Sequence, residues 1–275
     1  MEQKKVKIAL LQMSSELGDI EANIEKIRTI ITSDLPKDTD VLVLPEVWSV
    51  GWSCPDFKIS AQKTNDGSIS RFLSEIAQKY NVNIIGGSII TEKDESYYNT
   101  CLVYNRKGEL VSSYSKMHLY SYYGYEEDKY VNCGENPVIV ELDGVKFGLS
   151  ICYDIRFPEL YRAYAKAGAD VFVNCAAWGS NKPIPWEVMT KSRAVENQTY
   201  MLALTQCGKI KNDEYNLGIS RIIDYKGEEI SIIKLREGII YAELNLNKMY
   251  EFRAKSPTIK DIKNNYEVKI LCEKY

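Results

Sequence analysis

Residues 145–156 read VKFGLSICYDIR, an apolar run that ends at a cysteine and then becomes polar. The apolar part is typical of a buried strand, and the segment 157–168, FPELYRAYAKAG, has the spacing of a helix. Cys152 therefore falls at a strand-to-helix turn. Such a turn exposes a side chain at the end of a sheet and leaves backbone N–H groups unpaired beside it, so the position suits a nucleophile with an oxyanion site.

A buried cysteine is more commonly a small core residue than a nucleophile. The residues that follow Cys152 argue against a sealed core, because Tyr153, Asp154 and Arg156 are polar groups that a core rarely accepts together. We expect Asp154 and Arg156 to pair with each other and to brace the turn.

A thiol nucleophile needs a base, and the chain has a single histidine, His118. The other option is a carboxylate at a similar strand end. Residues 40–48, DVLVLPEVW, form an apolar run without alternation, which is typical of a central parallel strand, and Pro45 ends it next to Glu46. An apolar surrounding raises a carboxylate pKa toward the range useful for proton abstraction. Taken alone, Glu46 would more commonly be a solvated loop residue.

A third strand end carries a cation. In residues 110–120, LVSSYSKMHLY, an alternating strand ends at Lys116. An ammonium group at this place can lower the pKa of a thiol and hold a developing oxyanion, although most lysines are simply solvated. His118 lies two positions further on, and we expect it to position the loop through hydrogen bonds rather than to catalyse.

These Glu, Lys and Cys segments together resemble the motifs of the nitrilase superfamily, the carbon-nitrogen hydrolases. The resemblance extends over most of the chain. It rests on LPEVWSVGW (44–52), YSKMHLY (114–120), GLSICYDIRFPELYR (148–162) and SRAVENQTY (192–200), and it reaches from IALLQM (8–13) to YEFRAKSP (250–257). Within the superfamily the chain is most similar to the omega-amidase type, which releases ammonia from short dicarboxylic acid monoamides such as 2-oxoglutaramate.

The resemblance implies an α/β fold in the form of a four-layer α-β-β-α sandwich, with mixed sheets, outer helices and a homodimeric or larger assembly. It also implies a second glutamate, and in YGYEEDKYVNCGE (123–135) the matching position is Glu127 rather than Glu126. Trp178 and Tyr120 are the candidate pocket residues, and core packing is the alternative for Trp178. Both neighbouring acids in 126–127 would otherwise be read as solvated loop residues.

The three groups define a mechanism without a cofactor. Glu46 takes the proton of Cys152 as the sulfur attacks an amide carbon, and the oxyanion lies between Lys116 and the backbone N–H of Tyr153. A nitrilase, an N-carbamyl amine or amino acid hydrolase, or a formamidase would use the same triad, so these activities stay open. A catalytically inactive binding or scaffold protein is the alternative of another class, and it would have no use for a reactive thiol between two charges.

Composition and charge restrict the kinds of molecule that the protein is expected to bind. The net charge is −3 and no basic cluster with interleaved aromatic residues occurs, so nucleic acid is not expected, and a small amide is the predicted partner. No apolar run approaches the ~18 residues that span a bilayer, and the first residues lead directly into a strand, which predicts a cytoplasmic protein. One histidine and no ligand spacing argue against a zinc site.

The 275 residues contain no linker-like stretch, so we expect one domain over 1–275, with 246–275 as an extension at the dimer contact. Strands and helices alternate through the first part of the chain. The segment 81–90, NVNIIGGSII, is predicted to be one strand, and 97–116 a hairpin.

Overall fold

The computed structural model describes residues 4–211, 213–263 and 266–270. Within them the chain forms sixteen strands and six α-helices. The strands are β1 (Lys5–Gln12), β2 (Val41–Val43), β3 (Gln62–Lys63), β4 (Asn83–Ile85), β5 (Ile89–Lys93), β6 (Ser96–Tyr104), β7 (Leu110–Ser115), β8 (Ile139–Leu142), β9 (Val145–Ile151), β10 (Val171–Ala176), β11 (Tyr200–Thr205), β12 (Lys209–Lys211), β13 (Glu214–Tyr215), β14 (Ile219–Ile223), β15 (Glu229–Lys234) and β16 (Gly238–Asn245). The helices are α1 (Ile20–Asp34), α2 (Phe57–Ser60), α3 (Ser68–Tyr80), α4 (Pro158–Lys166), α5 (Pro183–Asn197) and α6 (Leu246–Lys255).

Two mixed sheets form the centre of the fold. The first has the order β16-β1-β2-β4-β6-β5-β3, with β7 paired to β6, and its strands β1, β2 and β4 are parallel. The second has the order β15-β14-β11-β10-β9-β8, with β9, β10 and β11 parallel. The prediction of two mixed sheets with outer helices is confirmed.

Strand β1 shows how the layers stack. Ile8 and Leu10 belong to the core that lies between the sheets and continues to α4 and α5. Ala9 and Leu11 point the other way, into a second core shared with α1 and α3. A strand buried on both faces needs apolar residues at consecutive positions, and this is why IALL carries no alternation.

The predicted single strand at 81–90 is wrong, because the structure has two strands, β4 and β5, with a break at Gly86 and Gly87. The break follows from a close approach of the chain after β2. Gly87 has a φ of 66°, and a Cβ at this position would stand 1.9 Å from the carbonyl oxygen of Pro45. Ser88 then accepts a hydrogen bond from the Val47 N–H at 3.1 Å. The break therefore makes room for the turn that carries Glu46.

The C-terminal part begins as α6, whose N-terminus is capped by Asn245 accepting from the Lys248 N–H at 3.1 Å. A short 3-10 turn, Thr258–Asp261, follows, and residues 266–270 are exposed. The predicted extension at 246–275 includes 264–265 and 271–275, which lie outside the described residues. Its place at a dimer contact stays a prediction. Among the described helices, none has the length and apolar character needed to cross a bilayer.

Candidate active site

Cys152 lies in a strained turn. Strand β9 ends at Ile151, and Cys152 has a φ of 46°, a region that residues other than glycine rarely adopt. It begins the 3-10 turn Cys152–Arg156, in which the N–H of Tyr153 has no partner within the turn. The buried carboxylate of Asp154 secures the turn by accepting from the Ile151 N–H at 2.9 Å. The thiol is thus held at the end of the sheet, next to the N–H of Tyr153.

Glu46 follows β2 in a second strained turn, since the next residue, Val47, has a φ of 41°. Glu46 is completely buried. Its backbone carbonyl accepts from Nε2 of Gln206 at 2.7 Å, and its Oε2 accepts from the N–H of Ala177 at 2.7 Å. Both donors follow strands of the second sheet. Glu46, from the first sheet, is therefore fixed between the two sheets.

Lys116 is the next residue after β7 and is also completely buried. Its Nζ lies 2.9 Å from Oε1 of Glu46, and 3.0 and 2.9 Å from Oε1 and Oε2 of Glu127. The ammonium also stands 5.1 Å from the ring centroid of Trp52. One cation thus bridges two carboxylates out of contact with solvent.

Glu127 begins the 3-10 turn Glu127–Lys129. Its Oε2 accepts from the N–H of Tyr120 at 2.7 Å. The neighbouring Glu126 instead forms an ion pair with Lys129 on the surface, at 2.7 Å. The structure therefore brings Glu127, and not Glu126, to Lys116.

Sequence reasoning missed Asn99, on β6. Its Nδ2 donates to Oε1 of Glu46 at 3.0 Å and to Oε1 of Glu127 at 3.1 Å. Asn99 occupies the same strand face as Cys101 and Val103, which belong to the core between the sheets. A polar residue on an apolar strand face was the available indication of a buried polar site.

Burial sets the protonation of the thiol. It raises the pKa of Cys152 well above the usual range, and the hydrogen-bonded carboxylate of Glu46 raises it further, while Lys116 opposes both effects. The expectation that Lys116 lowers the thiol pKa is thus met only as an opposing contribution, and burial outweighs it. At neutral pH the site holds a thiol, and a base must take its proton during the reaction.

The pKa values of Lys116 and Glu127, the other two charged residues of the cluster, are shifted as well. Burial alone lowers the pKa of Lys116, but the carboxylates of Glu127 and Glu46 outweigh burial and hold it well above its usual value. Burial raises the pKa of Glu127, and Lys116 opposes this shift. Lys116 is therefore an ammonium at neutral pH, where the thiol is neutral.

A cleft of about 510 Å³, counted up to its open mouth, leads to Cys152. Trp178 and Tyr120, the two predicted pocket residues, line it. Trp178 is held by its indole N–H, which donates to the Lys182 carbonyl at 2.8 Å. Beyond the inner cleft, Tyr122 and Tyr123 widen it into an outer vestibule. The site is thus open to small molecules through a channel lined with aromatic side chains.

Two cations line the cleft away from the buried cluster. Arg156 lies 5.5 Å from the ring of Trp178 and 5.8 Å from that of Tyr153, and has no ion pair with the residues that the structure describes. The expected pairing of Arg156 with Asp154 is wrong, because Asp154 is turned inward. Lys182 lies 4.6 Å from the Tyr120 ring and donates to its hydroxyl at 2.5 Å.

His118 contacts Asp154 through two hydrogen bonds, from its backbone N–H at 3.0 Å and between Nδ1 and Oδ1 at 2.7 Å. Tyr114 donates to the other oxygen of this carboxylate at 2.7 Å, and the His118 ring stacks on Phe157 at 3.6 Å. Asp154 thereby ties the turn of Cys152 to the loop after Lys116. The contacts of His118 are those of a loop-positioning residue.

The described residues contain no group of three or more His, Cys, Asp or Glu side chains arranged to hold a metal ion. The polar groups at the end of the cleft are instead one thiol, two carboxylates, one ammonium and an amide. They are the groups of acyl transfer through a cysteine.

Comparison with known proteins places this site in a family. The carbon-nitrogen hydrolase profile matches residues 7–254. The chain is 34% identical over 259 residues to 2-oxoglutaramate amidase of Bacillus subtilis, covering 94% of this chain and 98% of that protein. It is 30% identical over 270 residues to the omega-amidase Nit3 of Saccharomyces cerevisiae, covering 94% and 93%.

The fold gives the same result. The crystal structure of Saccharomyces cerevisiae Nit3, a member of branch 10 of the nitrilase superfamily, superposes with a TM-score of 0.83 at 30% identity, over 92% of this chain and 95% of that chain. The chain therefore belongs to the carbon-nitrogen hydrolase family, and its fold is that of the nitrilase superfamily.

Proposed function

We propose that this protein is an omega-amidase, which hydrolyses the terminal amide of a short monoamide that carries a carboxylate at its other end. The observation that supports this most is the division of the cleft. Its inner end holds Cys152 against the buried Glu46–Lys116–Glu127 cluster, and its outer part holds Arg156 and Lys182 without an ion-pair partner among the described residues. The similarity to amidases points the same way.

The first half-reaction transfers the acyl group to sulfur. Glu46 takes the Sγ proton while Sγ attacks the amide carbon, and the carbonyl π electrons move onto oxygen. The oxyanion receives the N–H of Tyr153 and an N–H of Lys116. As the tetrahedral intermediate collapses, the C–N bond breaks and Glu46 returns its proton to the nitrogen. Ammonia leaves, and a thioester on Cys152 remains.

The second half-reaction hydrolyses the thioester. Glu46, again a carboxylate, takes a proton from water as the water oxygen attacks the thioester carbon. The C–S bond then breaks, and the proton held by Glu46 goes to the departing sulfur of Cys152. The products are a carboxylic acid and the starting thiol, so one carboxylate serves both steps.

The three N–H bonds of the Lys116 ammonium limit how many hydrogen bonds it can donate. An ammonium has three N–H bonds, and Nζ has three contacts with the two carboxylates. Two of the contacts go to the two oxygens of Glu127, so one N–H can be shared between them. The third N–H then becomes available to the oxyanion. Glu127 orients Lys116 in this scheme and does not exchange protons with the substrate.

The far end of the substrate is the feature that separates an omega-amidase from other amidases. A carboxylate there would accept charge-assisted hydrogen bonds from Arg156 and Lys182, each of which already packs on an aromatic ring. Such bonds contribute ~1.5 to 3 kcal/mol each. Loss of one corresponds to a fall of about 10- to 100-fold in kcat/KM.

Ammonia release from matched substrates tests the proposal. Succinamate and butyramide have the same chain length and differ by one carboxylate. We expect 2-oxoglutaramate and succinamate to be cleaved at least about 10-fold faster in kcat/KM than butyramide. Equal values would exclude a carboxylate-binding cleft and leave a general aliphatic amidase.

The same panel, extended to nitriles, N-carbamyl amines, N-carbamyl amino acids and formamide, tests the alternatives that share the triad. A clear preference for one of them would move the protein to another branch of the family. An absence of turnover on every compound would support the binding or scaffold alternative. The saturated contacts of the Lys116 cluster argue against that alternative, since a binding protein gains nothing from burying these charges.

We also propose a homodimer. Ile184, Val188 and Val195 of α5 are 72%, 55% and 49% exposed, and their spacing puts them on one side of the helix. Leu235, next to β15, is 79% exposed. Light scattering should give about twice the chain mass at micromolar concentration. A monomer with full activity would refute the dimer.

A further inference from the structure

Asn99 connects the two buried carboxylates through its side-chain amide. Its Nδ2 donates to Oε1 of both glutamates, and Nζ of Lys116 contacts the same two oxygens. The two nitrogens and the two oxygens thus form a closed ring of four hydrogen bonds, in which donor and acceptor atoms alternate. The Asn99 carbonyl of the backbone also accepts from the Lys116 N–H at 2.8 Å. Asn99 therefore contacts all three charged members of the cluster.

An amide NH₂ group donates hydrogen bonds and does not accept them. The Oε1 atoms of Glu46 and Glu127 that face it are therefore hydrogen-bond acceptors, which is the arrangement that favours the ionised form of each. The two remaining oxygens also face donors: Oε2 of Glu46 accepts from the Ala177 N–H, and Oε2 of Glu127 accepts from the Tyr120 N–H. The donors around the pair all fit the state in which both carboxylates are ionised.

This state needs support, because two carboxylates share a single ammonium in a site without solvent. Repulsion between like charges and burial both favour the uptake of a proton by one of them. A proton on Glu46 would remove the base that Cys152 requires. Lys116 alone supplies one positive charge for two negative ones. The Asn99 amide is the second side-chain donor that contacts both.

The other end of the side chain is consistent with this use. Oδ1 of Asn99 is buried and has no hydrogen-bond partner among the described residues. The side chain is thus oriented by its NH₂ group alone. Leaving an acceptor unsatisfied is unfavourable, so the contacts with Glu46 and Glu127 must outweigh it.

We propose that Asn99 is a positioning residue that keeps Glu46 and Glu127 ionised together and fixes their spacing, so that Glu46 is ready to accept the Cys152 proton. This inference rests on the proposed function for the identity of the reaction. It does not depend on which substrate is cleaved, because Asn99 acts on the base and not on the far end of the cleft.

The pH profile of Asn99→Ala tests the inference. Removing a donor disfavours the state in which both carboxylates are ionised, so the active form of the cluster is lost at a higher pH than in the wild type. We expect kcat/KM for ammonia release to fall about 10-fold or more at pH 7 and the acid-side midpoint to move up by about one pH unit. Asn99→Asp keeps the shape but adds a third carboxylate, and its midpoint should also move up.

Asn174 provides a matched control. It is a fully buried asparagine beside the Cys152 turn, its Nδ2 donates to Ser150, to Tyr161 and to the Cys152 backbone carbonyl, and its Oδ1 also lacks a partner among the described residues. Among the residues that the structure describes, its side chain has no hydrogen bond to a carboxylate. Asn174→Ala should lower the thermal stability and the rate without moving the acid-side midpoint. Equal shifts in Asn99→Ala and Asn174→Ala would overturn the inference.

Alkylation of Cys152 by iodoacetamide gives a readout that needs no substrate. The rate at Cys152, followed by mass spectrometry against pH, should show the same upward shift of its acid-side midpoint in both Asn99 variants. A shift without any amide turnover would support the role of Asn99 and refute the amidase. Amide turnover with wild-type midpoints in folded Asn99→Ala or Asn99→Asp would support the amidase and refute this role.

Discussion

The inner and outer ends of the cleft both contain basic side chains, but the partners of these side chains differ. At the inner end, Lys116 contacts two carboxylates, and each of the four carboxylate oxygens accepts a hydrogen bond. At the outer end, Arg156 and Lys182 lie on aromatic rings and have no ion pair with the described residues. The inner cation is paired with two carboxylates of the protein, whereas the outer cations have no carboxylate partner among the described residues.

This difference separates chemistry from selectivity. A cluster whose charges are paired with one another and buried keeps its protonation states and geometry whichever substrate binds. A cation that lacks a partner gains most from a substrate that brings an anion. We therefore expect substitutions at the inner end to reduce the turnover of every substrate, and substitutions at the outer end to change which substrate is preferred.

The largest effect should come from the nucleophile. Cys152→Ala should abolish turnover of charged and uncharged amides alike, because no other group at the inner end can form the thioester. Circular dichroism should show a native fold. Cys175→Ala is the control: this thiol is also buried and lies on the neighbouring strand β10, but it does not line the cleft. Wild-type rates in Cys152→Ala would remove the assignment.

The charged partners come next. Lys116→Ala and Glu46→Gln should each lose ~10²- to 10³-fold or more in kcat, with the same loss for succinamate and butyramide. The double variant should lose far less than the product of the two, because both groups serve one transition state. Lys116→Ala should also lower the melting temperature, since it leaves two buried carboxylates without their cation. Fully multiplicative losses would contradict a single cluster.

Substitutions at the outer end should act on one substrate class only. Arg156→Met and Lys182→Met should lower kcat/KM for succinamate about 10-fold each and leave butyramide within about 2-fold. Lys226→Met is a matched control, because Lys226 lies over the rings of Tyr225 and Phe252, outside the cleft lining. A parallel loss on both substrates would show that the outer cations act on the chemistry or on the fold.

The smallest effect is expected at His118. Its contacts with Asp154 place it between the two ends, as a brace for the turn of Cys152. His118→Asn should cost about 10-fold or less in kcat for all substrates, well below the loss in Glu46→Gln. Steady-state kinetics of the two variants under one set of conditions checks this. Similar losses would revive a cysteine–histidine mechanism.

The strand ends were readable from the sequence because each combines a long apolar run with one polar residue. Pro45 and Glu46, and likewise Cys152 with its polar neighbours, interrupt runs that only a buried strand explains. The helix α4 was equally clear from the apolar spacing of 157–168. The break between β4 and β5 was not, because it arises from the approach of Pro45, a contact between distant segments.

The supporting contacts were beyond sequence reasoning for related reasons. The N–H groups of Ala177 and Tyr120 are backbone donors, and backbone groups have no sequence pattern of their own. Asn99 lies within the hairpin predicted at 97–116, and its partners Glu46 and Glu127 belong to distant segments of the chain. The pairing of Arg156 with Asp154 was inferred from their proximity in the chain, but Asp154 instead finds Tyr114 and His118 in another loop.

The central claim is that an acyl group passes through Cys152 under the control of Glu46 and Lys116. Rapid acid quenching of the protein during turnover of succinamate, followed by peptide mass mapping, tests it most directly. We expect a succinyl adduct on the peptide that contains Cys152, formed as ammonia is released and absent in Cys152→Ala. An adduct on another residue, or ammonia released in Cys152→Ala at the wild-type rate, would contradict it.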